Sequence, residues 1–106
     1  MSISLIDKID IITRSNNGKD YVLIVVADEP WDNSNELKYN LQEKFNNYAA
    51  YFLDGQMLQD YPDCNQNTIT IRVSSTTPIP DHILEFIFEI SKVLEPDGVM
   101  IETEIL

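Results

Sequence analysis

The sequence predicts an α+β fold: a two-layer sandwich in which two helices pack on one face of a four-stranded sheet, in the order β-β-α-β-α-β. Three observations carry that expectation. Tyr21 to Ala27 is an unbroken apolar, mostly β-branched run. Two stretches, about Asn33 to Asp54 and Asp81 to Leu94, repeat apolar residues at helical spacing. Two others, Thr68 to Ser74 and Val99 to Ile105, alternate with the period of a half-covered strand.

The first strand alternates Ile9, Ile11 and Thr13 with Asp10 and Ile12. Asn17-Gly18 then supplies the pair that a tight hairpin turn prefers, because both residues tolerate positive φ. The second strand, Tyr21–Ala27, is apolar on both faces and so belongs in the middle of the sheet. Asp28 to Asn35 is an acidic turn holding Pro30 and Trp31, and Asn33 with Glu36 has capping-box spacing. Leu37, Leu41, Phe45, Tyr48 and Phe52 form the inward stripe of the first helix, which Gly55 is placed to end. Gln56 to Gln66 reads as an ordered loop or a short helical turn. Ile69, Ile71 and Val73 face inward on the third strand. The second helix, Asp81 to Leu94, buries Ile83, Phe86, Ile87, Ile90, Val93 and Leu94 before Pro96 and Gly98 stop it. The last strand turns Val99, Ile101, Thr103 and Ile105 inward. Strand order and the direction of the third strand stay open.

With 106 residues, 43% of them apolar, the chain fits one domain spanning 1–106 with an ordinary core. No apolar run approaches the roughly 20 residues of a membrane helix. Met1 to Asp10 lacks the pattern of a signal peptide, and a lone cysteine suits a reducing compartment, so a cytoplasmic location is expected. The net charge is −11, and its distribution is uneven. Residues 1–53 hold eight acids and five bases, while residues 54–106 hold ten acids and two bases. Such a field repels phosphate backbones and disfavours nucleic-acid binding. It keeps a small protein soluble, and it would also draw in a basic partner.

Three surfaces offer themselves for binding. Opposite the apolar stripe of the first helix lie Tyr39, Gln42, Asn46, Ala50 and Leu53, with Glu43 and Lys44 towards the sides. A helix face so poor in charge matches the depletion of charge at interface centres, although polar residues at a solvated face need no partner. On the second helix Asp81, Glu85 and Glu89 form an acidic ridge relieved by Lys92. Beside it Leu84 and Phe88 spill out of the core stripe, as a broad core contact or an association patch. The uncovered sheet face would carry Thr68, Thr70, Arg72, Met100, Glu102 and Glu104 with one apolar row of the second strand. The loop after the first helix, the segment Ile3 to Ile6, a homodimer or a protein partner could cover it.

Catalytic and metal chemistry finds weaker support. Cys64 and His82 are the sole cysteine and histidine, and Asp60 and Asp63 would oppose a thiolate beside them. Zinc needs several Cys or His ligands. Asp54, Asp60 and Asp63 could offer oxygen ligands to calcium or magnesium, but at a spacing that matches no standard loop. Three glycines leave no phosphate-cradling loop. No cofactor is expected, and no catalytic residue is assigned.

Trp31, Glu36, the run Leu41-Gln42-Glu43-Lys44-Phe45-Asn46-Asn47-Tyr48, then Phe52, Gly55-Gln56 and Tyr61-Pro62 resemble a family of small acidic bacterial proteins known as a domain of unknown function. The likeness covers about residues 31–62. Phe45 stands where relatives carry a smaller aliphatic, and Asp54 where a small polar residue is usual. The resemblance implies the fold and a bacterial origin but no activity. Its motif includes Gln42, Asn46, Gly55, Gln56, Tyr61 and Pro62. The overlap with the charge-poor helix face makes Tyr39, Gln42, Asn46, Gln56 and Tyr61, with Glu85 and Glu89, the candidate interaction residues.

The expected role is therefore a non-catalytic domain that binds a basic protein, an immunity or antitoxin protein being its most concrete form. The alternatives are a small enzyme or ligand- or divalent-metal-binding domain using the loop 54–63, and a self-associating structural domain.

Overall fold

A computed structural model describes residues 11–14, 20–28, 30–31 and 34–106. Four strands form one sheet: β1 (Ile11–Arg14), β2 (Tyr21–Ala27), β3 (Ile69–Ser75) and β4 (Val99–Ile105), side by side in chain order. β1 runs antiparallel to β2, pairing Arg14 with Tyr21, whereas β3 and β4 run parallel to β2. Parallel neighbours need a crossover, and each is made by a helix. Helix α1 (Asn35–Leu53), followed by the short α2 (Gln56–Asp60), joins β2 to β3, and α3 (Asp81–Leu94) joins β3 to β4. Both crossovers step the same way across the sheet, so with one hand of connection both helices lie on one face. The Lys38 ammonium of α1 lies 5.9 Å from the centre of the Phe86 ring of α3, which places the two helices side by side.

The core sits between these layers. Leu23, Val25, Ile71, Val73 and Val99 meet Leu41, Phe45, Tyr48 and Ile83, all fully buried. Each such side chain contributes roughly 1.5–3 kcal/mol on leaving water. β2 is central, as its two-sided apolar run requires. Tyr21, Leu23, Val25 and Ala27 belong to the helix-facing core, leaving Val22, Ile24 and Val26 as the apolar row on the other side.

Several local expectations change. Ser34, not Asn33, caps α1: its side chain accepts a hydrogen bond from the Leu37 N–H at 3.1 Å. Asn33, like the Asn17-Gly18 turn and Ile3 to Ile6, lies outside the described residues. Lys44, expected at the side of the solvent face, is fully buried, with its ammonium 5.9 Å from the centre of the Tyr48 ring. It stands four residues before Tyr48, on the flank of the apolar stripe, where its methylene stem can pack. Val93 is 72% exposed rather than core, because it lies towards the outer edge of the α3 stripe. On β4 the inward row fades from buried Val99 through half-buried Ile101 to exposed Thr103 and Ile105. Among the described residues β4 is an edge strand, with no neighbour beyond it to shield that row.

Candidate functional site

Two of the three expected surfaces lie on the solvent side of the helical layer. On α1, Tyr39, Gln42 and Asn46 are exposed, and Leu53 at the helix end is half exposed. They recur at three- and four-residue intervals and so form one strip along the helix. The Glu43 carboxylate, one turn from Tyr39, accepts its phenolic hydrogen bond and pushes that phenol above the usual tyrosine range. On α3, Asp81, Glu85 and Glu89 are exposed and line the outward ridge. Leu84 and Phe88, 38% and 55% exposed, belong to the surface and not to a broad core contact. The Lys92 ammonium lies 4.4 Å from the centre of the Phe88 ring, a favourable cation–π placement. Negative charge thus stands beside exposed apolar area, with an aromatic at its centre.

Gln56 and Tyr61 occupy a different place, where the loop after α1 is fastened at the end of the sheet that holds Tyr21. Met57 and Cys64 are buried in the core, which draws this loop onto the helix-covered side of the sheet and away from the opposite face. Gly55, at φ +87°, makes the reversal between α1 and α2. The Tyr51 hydroxyl donates to Asp60 Oδ2 at 2.8 Å, and Gln56 Nε2 approaches the same oxygen at 3.5 Å. Burial first, then that bond to Asp60, holds the Tyr51 phenol above its ordinary range. The Tyr61 ring packs on Tyr21 with centroids 4.8 Å apart. Asp63 completes the clamp, accepting from Arg14 Nη2 at 2.6 Å and from the Tyr21 hydroxyl at 2.8 Å. The hydrogen bond from Arg14, then that from Tyr21, keeps the Asp63 carboxyl below the usual carboxylate range. Gln56 and Tyr61 thus take part in the packing of this loop, apart from the strip of Tyr39, Gln42 and Asn46 on α1.

This clamp also bears on the metal alternative. Asp60 and Asp63 already accept hydrogen bonds from their own chain, and each is held by different partners. Among the described residues no three His, Cys, Asp or Glu side chains converge as metal ligands. The concavity beside the loop, lined by Phe52, Leu53, Gly55, Leu58, Cys64 and Gln66, has a volume of about 170 Å³. Small-molecule pockets are commonly about 300–1,000 Å³. Cys64 lies near the start of β2 and His82 opens α3 beyond the far end of β3, so the parallel strands hold them at opposite ends.

Away from the helices, Arg72 of β3 reaches across to β4. Its Nε lies 2.7 Å from Glu102 Oε1 and 3.5 Å from Glu104 Oε2, and the Ser74 hydroxyl donates to Glu104 Oε2 at 2.8 Å. At the opposite end of the strands from Tyr21, Trp31 Nε1 donates to the Ser75 hydroxyl at 2.9 Å, fixing the tryptophan over the end of β3. The sequence carried no signal for this pair, because Trp31 and Ser75 are 44 residues apart. Among the described residues no helix is long and apolar enough to cross a membrane.

The chain belongs to the family of unknown function DUF6572, whose model matches residues 1–106. No curated protein and no solved structure matches it.

Proposed function

We propose that this member of a family without an assigned role is a non-catalytic domain that binds a basic protein through the outer surface of its helical layer. The observation that carries the proposal is the composition of α3. The exposed acids Asp81, Glu85 and Glu89 flank the exposed apolar side chains Leu84 and Phe88. A partly exposed aromatic centre with charge around it has the makeup of a protein interface. The adjoining strip of Tyr39, Gln42 and Asn46 on α1 extends that surface with little charge to desolvate. A chain of net charge −11 accelerates encounter with a basic partner and rejects acidic ones. An immunity or antitoxin protein that covers the basic surface of a toxic partner is the most concrete form of this role. A cytoplasmic setting is part of the same proposal.

The test is capture from native lysate by the immobilised chain, followed by comparison with a Glu85→Lys, Glu89→Lys variant. A basic protein should be retained by the parent chain and held about tenfold more weakly by the variant, with a flatter dependence on salt. Equal retention by both chains would remove α3 from the interface.

A further inference from the structure

We infer that the outer edge of β4 is a docking site for an extended segment of a basic partner, which joins the sheet as a fifth strand. The inference rests on the basic-partner reading and adds where that partner binds and in what conformation.

Backbone hydrogen bonds define the edge. The Ile69 N–H donates to Gly98 O at 2.9 Å, and the Leu106 N–H donates to Ser75 O at 2.8 Å. Successive residues of a strand turn their N–H and C=O groups to opposite sides. The even-numbered residues of β4 therefore bond to β3, and Val99, Ile101, Thr103 and Ile105 direct their N–H and C=O groups away from the sheet. Among the described residues nothing pairs beyond β4. The strand has seven residues with no proline and no lysine, the usual devices that blunt an edge. It is a long, regular template.

The side chains around this edge state what would fit. On the face away from the helices, Glu102 and Glu104 lie along the strand and share the single base Arg72. On the helix face, Phe86 turns towards α1, so Leu84 and Phe88, on the opposite flank of α3, face the side of the helical layer away from α1. Ile105 on that face is 58% exposed. A strand added about 4.8 Å beyond β4 would set one row of side chains beside the glutamates and the other beside Ile105, on the side of the helical layer that carries Leu84 and Phe88. Alternating basic and apolar residues satisfy both rows. A second copy of this chain would match the apolar row but would bring no bases to the glutamates. The antiparallel register that uses all seven residues sets Glu102 opposite its own copy, and two chains of −11 each repel.

The probe is a capped, fluorescently labelled peptide of alternating lysine and valine, equal in length to β4, titrated with the intact chain at about 50 mM NaCl. Binding is followed by anisotropy, and amide exchange in the complex by NMR. Exchange at the outward amides of Ile101, Thr103 and Ile105 should slow by about tenfold or more, while Met100, Glu102 and Glu104 change little. Thr103→Pro removes an outward N–H and spares the bonds to β3, so it should weaken binding by about tenfold. Glu102→Lys with Glu104→Lys should do the same, and a glutamate–valine peptide should not bind. Should Thr103→Pro fail to fold, the exchange pattern of the parent chain decides alone. Peptide binding without selective slowing of the outward amides overturns the inference. If that binding disappears in the Glu85→Lys, Glu89→Lys variant and survives Thr103→Pro, the edge reading falls and the basic-partner reading stands. If no basic peptide binds, whether alternating or with its lysines in a block, both fall.

Discussion

At Gly98, where the turn after α3 hands the chain to β4, the backbone adopts φ +85°, and a Cβ built there would stand 2.0 Å from the Asn67 carbonyl oxygen. That carbonyl is backbone and cannot swing aside. Gly55 has nearly the same φ, +87°, but a Cβ added to it would meet nothing within 4 Å. The two glycines are alike in sequence terms, each closing a helix, and differ in what the fold brings against them. Gly98→Ala should therefore cost more than about 2 kcal/mol, conformational penalty and clash together, and Gly55→Ala about 1 kcal/mol from conformation alone. Urea unfolding of the two variants measures the difference, and equal losses would show that Asn67 can yield. Lys44 makes the same point from the other side. Its type and position suggested the edge of a solvated face, and the tertiary structure buries it fully beside Tyr48.

Among the elements, the helices were the most legible, because a 3.6-residue repeat marks which side is buried. The bounds of α3, Asp81–Leu94, match the expected ones, and its stripe errs at Val93, which lies towards the stripe's outer edge and is exposed. The loop after α1 was less legible because its order comes from distant residues. Asp63 joins it to Arg14 and Tyr21, which are 49 and 42 positions away in the chain. The clamp has a pH signature whose sign follows from the lowered Asp63 pKa. An unfolded aspartate titrates near about 3.9. The stabilisation from Asp63 is therefore present above that value and is lost as pH falls through the lower, folded one. An Asp63→Asn variant should lose less stability than the parent on acidification below about pH 4, as measured by urea unfolding across that range. Parallel acid limbs would mean that the clamp does not persist in solution.

For the molecule as a whole, charge works against compactness. A net −11 on 106 residues repels itself, and salt screens that repulsion over about 10 Å at 0.1 M. Between about 20 and 300 mM NaCl the melting temperature should rise by about 4 °C or more, equivalent to roughly 1 kcal/mol. A falling melting temperature would show that the Arg14–Asp63 and Arg72–Glu102 pairs outweigh the general repulsion. By itself, the sequence determined the kinds of elements, their order and the acidity of the surface, since periodicity and composition are local properties of the chain. Tertiary structure alone decided that β3 and β4 run parallel to β2, that β4 is the outermost of the described strands on its side, and which row of β2 meets the helices. These depend on how a crossover closes between residues far apart in sequence, and no local pattern encodes that choice. The same choice leaves one side of the β4 backbone facing outward, so the edge became visible as a surface once the strands had an order.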